Sequence, residues 1–180
     1  LSFFFKRLWI DSGTVIALKS DISIMAAGLH EKARAAADGQ GYFLLLLLLS
    51  VLSHFVFPGG VILQAPFTWS GFLVIGAGIF LAFRCRSLFL RNRTTLSPYE
   101  SPSVLLTTGP FRFSRNPVYL AMVAILFGSA VVMGTITPFL FPVLFIVIIE
   151  VLFIPDEERM LEEGFGREYR EYKREVRRWI

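Results

Sequence analysis

The feature that most restricts this chain is where its acids are missing. No Asp or Glu occurs between Asp38 and Glu100, and none between Glu100 and Glu150. Those gaps hold four runs rich in Leu, Ile, Val and Phe. Each is long enough to cross a bilayer core of about 30 Å, which takes roughly 20 mostly apolar helical residues. A soluble chain carries about a quarter of its residues charged, whereas here 18% are charged and 54% are apolar. The sequence therefore predicts an all-α integral membrane protein with about four transmembrane helices.

The first span is read at 42–57, around the Leu44 to Leu49 run, and stops at Pro58-Gly59-Gly60, where turn residues interrupt a helix. The second begins at about Val61 or Phe67 and ends at Phe83, before Arg84. The third is 117–133, with Pro117 at a first-turn position that tolerates proline. The fourth is 136–154, ending at Pro155. Only Gly134 and Thr135 lie between Met133 and the fourth span, which predicts a tight helical hairpin.

Lys and Arg number five before residue 42, none in 58–66, six in 84–116, none in 134–135 and seven after residue 155. The positive-inside rule then places the N-terminal segment, the 84–116 loop and the tail in the cytoplasm. The expected setting is a bacterial inner membrane. Segment 1–41 is read as an amphipathic, interfacial element, because Lys19 and Asp21 interrupt its longest apolar stretch. The chain divides into that segment, a first pair of spans at 42–83, and a functional region at 84–180. No secretory cleavage pattern follows an apolar core.

Basic clusters beside spans suit anionic membrane lipids, not nucleic acid. Cys85 is the single cysteine, so neither a disulfide framework nor a thiolate metal cluster is expected. His30 and His54 lack the Glu-spaced zinc pattern, and His54 is expected to pack within its span.

Three features carry chemistry. The loop around Leu105 and Leu106 continues as Thr107-Thr108-Gly109-Pro110-Phe111-Arg112-Phe113-Ser114-Arg115-Asn116-Pro117-Val118-Tyr119. It reads either as a basic connector or as a site in which Gly109 admits a ligand close to the backbone and Arg115 grips a carboxylate or phosphate. Glu150, one turn from the end of an apolar span, either snorkels or shares a face with Glu157 seven residues on. The tail from Asp156 carries an apolar stripe of Leu161, Phe165, Tyr169, Tyr172, Val176 and Trp179, predicting one helix with a solvated face and pairs such as Glu163/Arg167 and Arg167/Glu171. Glu157 and Glu158 sit outside that face, where carboxylates suit a cationic or polyhydroxyl ligand.

The 109–119 motif, followed after one hairpin by Pro155-Asp156-Glu157-Glu158, Leu161, Phe165-Gly166, Tyr169, Tyr172 and Val176-Arg177-Arg178-Trp179, resembles the isoprenylcysteine carboxyl methyltransferase family and the related phospholipid methyltransferases. The resemblance covers about residues 93–180; before residue 84 it consists only of membrane spans. It implies an integral membrane enzyme binding S-adenosylmethionine in a cytoplasm-facing pocket made by the loop, the last two spans and the tail. It also implies that Leu105 and Leu106 flank the adenine, that Gly109, Arg115, Asn116 and Tyr119 help form the site, and that Glu157 and Glu158 contact the cofactor's polar groups. Family enzymes acting on prenylated proteins usually carry Arg-His-Pro-x-Tyr. Here Asn116 replaces the histidine, as in bacterial members with a Ser-Arg-Asn-Pro form.

Asn116 hydrogen-bonds but does not titrate near neutral pH. A carboxylate acceptor needs no base, whereas an ammonium or thiol must first lose a proton. The sequence thus predicts methyl transfer to a lipophilic or lipid-modified acceptor, most like carboxyl O-methylation, with phospholipid N-methylation as the alternative. Two further readings stay open: a membrane NADPH-dependent sterol-type reductase, and a non-enzymatic protein whose spans associate through Gly71, Gly76 and Gly78.

Overall fold

The computed structural model describes residues 39–92 and 104–180. The interfacial element expected at 1–41 lies outside them except for its last three residues, which open the first helix. The loop 93–103 also lies outside.

The named elements among the described residues are all helical. Helix α1 is Gly39–Val56. A 3-10 turn at Phe67–Trp69 leads into α2, Ser70–Arg91. Helix α3 is Pro117–Met133. After a 3-10 turn, Thr137–Phe139, the chain forms α4, Leu140–Ile148, a π-helical turn, Ile149–Phe153, and α5, Ile154–Phe165. Helix α6 is Arg167–Glu175.

Among the described residues, three continuous helical stretches are long and apolar enough to cross a membrane: Gly39–Val56, Phe67–Arg91 and Thr137–Phe165. Pro117–Met133 is apolar but shorter, at 17 residues. Outward faces carry exposed Leu44, Leu48, Leu73, Phe80, Leu140 and Val143, a covering that suits lipid and not water.

Three boundaries differ from the sequence reading. The second helix begins at Phe67, one of the two expected starts, but runs past Arg84 to Arg91. Charge marks where a span meets the interface, not where helical hydrogen bonding stops. The last helix does not end at Pro155 but runs on to Phe165. Proline removes one N–H and crowds the carbonyl four residues earlier, and the wider π turn immediately before it accommodates both defects. The tail is not one helix: Gly166 adopts φ +52 between α5 and α6, and after Glu175 the chain becomes extended at Val176. This separates Val176 and Trp179 from the helical stripe.

The expected hairpin between α3 and α4 is present. Gly134 caps α3 at φ +68, and a Cβ there would lie 2.5 Å from the Leu63 carbonyl oxygen. The Gly134 carbonyl accepts from the amides of Ile62 (2.9 Å) and Leu63 (3.0 Å), tying the 57–66 loop to the hairpin. At this end His54 Nδ1 lies 2.9 Å from Thr135 Oγ1, so the histidine is packed within its span as expected.

Helices α2 and α3 touch backbone to backbone. A Cβ on Gly71 would meet the Gly128 carbonyl oxygen at 2.5 Å, one on Gly128 would meet that of Gly71 at 2.8 Å, and one on Gly78 would meet that of Ala121 at 2.9 Å. Small residues permit such contact in lipid, where hydrophobic exclusion between helices is absent. Gly76 faces open space and takes no part in it. The core between the helices is Leu46, Leu126, Phe145, Ile149 and Ile154, flanked by Tyr42, Phe43, Tyr119 and Trp179.

Candidate active site

At the opposite end of the bundle from the Gly134 turn, the start of α3, the π turn, α5 and the tail meet. Asn116 precedes α3 with φ −125, and its carbonyl accepts from Leu120 N at 3.0 Å. This fixes Arg115 and Asn116 immediately before the helix and Tyr119 in its first turn. The 3-10 turn Gly109–Arg112 leads up to them. Gly109 has φ +63, and a Cβ there would approach Leu88 Cδ1 at 2.9 Å. Glycine thus serves both the backbone angle and the packing on α2.

Glu158 is the electrostatic centre. Its side chain is 9% exposed, as is that of Arg115, whose Nη2 lies 3.1 Å from Glu158 Oε1. Arg178 Nε donates to Glu158 Oε1 at 3.1 Å and Nη2 to Oε2 at 2.9 Å. Lys173 Nζ stands 3.3 Å from Oε2. Buried carboxylates need such charge compensation. Hydrogen bonding by Glu158 in turn raises the Arg178 pKa above its ordinary value, so the fork stays charged.

The same Arg178 donates through Nη1 to Glu150 Oε2 at 2.8 Å, and Trp179 Nε1 donates to Glu150 Oε1 at 3.1 Å. Glu150 is therefore neither snorkelling alone nor aligned with Glu157. Two α-helical turns take about 7.2 residues, and a π turn inserts one more, which puts Glu158, not Glu157, on the face of Glu150. Glu157 turns toward α3 and accepts a hydrogen bond from the Tyr119 hydroxyl. The Tyr119 ring fits because Gly39 has no side chain: a Cβ there would sit 2.7 Å from Tyr119 Cε1.

The extended tail is laced to the loop. Arg115 N donates to the Arg177 carbonyl at 3.0 Å. Ser114 Oγ and Asn116 Nδ2 both donate to the Arg178 carbonyl, at 3.1 and 3.3 Å. Tyr172 OH donates to the Phe111 carbonyl at 2.6 Å. Burial pushes the Tyr169 hydroxyl up to about 12 and that of Tyr172 higher still, so both remain protonated at neutral pH.

The structure thus gathers Arg115, Asn116, Tyr119, Glu157 and Glu158 around one end of α3. Leu106 stands apart from the charged groups, buried with Cys85 and Phe111 and backed by Leu88 and Val118; Leu105 beside it is half-buried. In the sequence reading Arg178 and Lys173 had no part in the site, and Trp179 was placed on the apolar stripe. Their signal lay in Gly166, which breaks the helix and lets the tail return. Of the expected tail pairs, Arg167 and Glu171 meet at 2.7 Å, while the helix break falls between Glu163 and Arg167.

Two donors matter for ligand chemistry. Arg115 Nε and Nη1 are buried and make no hydrogen bond of ordinary geometry among the described residues, although the Tyr169 hydroxyl stands close enough to interact with the same guanidinium. A buried donor left unmet costs roughly 1–3 kcal/mol, so these atoms fit an anion such as a carboxylate or phosphate. No group of three His, Cys, Asp or Glu able to hold a metal occurs among the described residues.

The family described as phospholipid methyltransferase matches residues 67–168, more than half of the chain. An uncharacterized protein of Haemophilus influenzae is 40% identical over 63 residues, which are 35% of this chain and the whole of that relative. No solved structure matches. The matched segment runs from the turn before α2 into the start of α6 and contains Arg115, Asn116, Tyr119, Glu157 and Glu158. The chain belongs to the phospholipid methyltransferase family.

Proposed function

We propose that the protein is an integral membrane methyltransferase that uses S-adenosylmethionine and acts on a lipophilic acceptor. In this reading the helices form four spans, and the site and both ends of the sequence face the cytoplasm. The observation that carries the reading is the buried Arg115 guanidinium against Glu158, whose Nε and Nη1 make no hydrogen bond of ordinary geometry among the described residues. S-adenosylmethionine offers a carboxylate, an ammonium and ribose hydroxyls, and the donor set fits those groups. Arg115 can receive a carboxylate, Glu157 and Glu158 can accept from the ammonium or hydroxyls, and the apolar Leu105 and Leu106 side is left for the purine.

When bound, that cofactor supplies a methyl group already attached to a good leaving group, so the protein's work is alignment and exclusion of water. Arg115 orients the anionic head of the acceptor or the cofactor's own carboxylate. Asn116 and Ser114 hold the tail over the site through the Arg178 carbonyl. Tyr119 fixes the Glu157 carboxylate. The acceptor enters laterally between the spans.

A carboxylate acceptor requires no base, in keeping with Asn116. The Glu157 carboxylate beside Tyr119 supports a second reading, phospholipid N-methylation, because it offers a proton acceptor that the loop motif lacks. The family match supports both over a dinucleotide reductase or a purely structural role. Stabilisation of the purified protein by S-adenosylhomocysteine but not by NADPH tests the cofactor; stabilisation by NADPH alone, or by neither, refutes it. Mild alkali then separates the acceptors: label in a methyl ester is released, label on nitrogen is retained.

A further inference from the structure

Glu158 has no free acceptor capacity, because Arg178 occupies both of its oxygens and Arg115 and Lys173 crowd the rest. If Glu158 is to contact a ligand, as the function proposed above requires, one cation must withdraw. Arg115 is enclosed, with a side chain only 9% exposed, whereas that of Arg178 is 35% exposed. Lys173 is as open, at 38%, but it reaches only Oε2; Arg178 is therefore the group whose withdrawal clears both oxygens.

Withdrawal would ordinarily strand a guanidinium, but Arg178 already holds a second carboxylate. Its Nη1 is 2.8 Å from Glu150 Oε2, while Nε and Nη2 serve Glu158. Glu150 sits within reach only because the π turn Ile149–Phe153 brings it onto the face of Glu158. The tail need not open either. Trp179 donates to Glu150 and packs on the helix core, and the carbonyls of Arg177 and Arg178 are held by the loop. All of Arg177, Arg178 and Trp179 lie beyond the residues matched by the family.

We propose that Glu150 is a positioning residue: it retains Arg178 while a cationic or polyhydroxyl group of the ligand takes Arg178's place on Glu158, so the tail stays closed over the occupied site. Glu150 acts through Arg178 and does not itself touch ligand. Neutralising Glu150 leaves Glu158 as Arg178's sole carboxylate partner among the described residues, and the competition against ligand becomes stronger.

The test is a double-mutant cycle on the full chain in nanodiscs, with S-adenosylhomocysteine affinity as the readout. Glu150→Gln is expected to raise Kd about tenfold, a coupling of ordinary size between linked groups. In an Arg178→Gln background the same change should leave Kd unaltered. Equal Kd for wild type and Glu150→Gln, or an equal loss in both backgrounds, would overturn the proposal. No binding by wild type would instead overturn the cofactor reading on which it rests. Hydrogen exchange on the wild type gives an independent check that no folding defect can blur. Residues 176–180 should stay as protected with saturating S-adenosylhomocysteine as without it, and a large gain in exchange would contradict a tail that remains closed.

Discussion

The Arg115 guanidinium lies 3.1 Å from the Glu158 carboxylate, with each side chain only 9% exposed. The two are not equally replaceable. Glu158 also binds Arg178 and Lys173, whereas Glu158 is the carboxylate against Arg115. Removing one member of a buried pair costs roughly 3–5 kcal/mol when the other is left uncompensated. Glu158→Ala should therefore lower the thermal midpoint in detergent by much more than Arg115→Ala, which leaves Glu158 with two cations. Equal losses would show that the pair is not the centre of the network.

Tyr119→Phe removes the hydroxyl that donates to Glu157 and little volume. A hydrogen bond contributes about 0.5–1.5 kcal/mol, and up to about 3 kcal/mol where the acceptor is charged. We expect a stability loss of that order and reduced methyl transfer, while Tyr42→Phe, on the flank of the core, should change transfer little. Calorimetry and turnover on the same preparations check both.

Helix contact in lipid gives a third expectation. Gly128→Val places a side chain against the Gly71 carbonyl and Ile75, and overpacking of this kind costs about 1–3 kcal/mol. Gly76→Ala meets nothing within 4 Å and should be neutral or stabilising by about 0.5–1 kcal/mol, since alanine is the better helix former. Unfolding in mixed micelles ranks the two, and the reverse order would contradict the α2–α3 packing.

Tyr169 sets an alkaline limit. Its folded pKa is raised by burial to about 12 against an ordinary value of 10.0. A group that holds its proton more tightly when folded stabilises the fold fully below its unfolded pKa. That contribution is lost as pH climbs through the folded value. Stability attributable to Tyr169 should accordingly be constant up to about pH 10 and fall between about 10 and 12. Comparing wild type with Tyr169→Phe across that window measures it: the variant should show a shallower decline.

Much of this was legible from residue order alone. Pro117 and Gly134 announce the start and end of α3, and the Arg-rich segments mark the end of the bundle at which the site is gathered. Arg115, Asn116, Tyr119, Glu157 and Glu158 meet because the motifs flank one short hairpin. The register of Glu150 was not legible, because a π turn changes the helical phase by one residue and has no simple sequence signature beyond the proline that follows it. Arg178 was hidden by a stripe that continues at helical spacing past the true helix end at Glu175. Backbone geometry at Gly166 and Val176, not side-chain periodicity, decided where the tail went.

The central claim is that these groups bind a methyl donor and an acceptor from the membrane. It is tested most directly by transfer of labelled methyl from S-adenosylmethionine into a lipid extract, comparing wild type, Glu158→Ala and Arg115→Ala in matched amounts of folded protein. The account predicts incorporation by the wild type and its loss, by about 10²-fold or more, in both variants, the scale at which misplacing bound reactants slows a reaction. Equal incorporation by all three would contradict it.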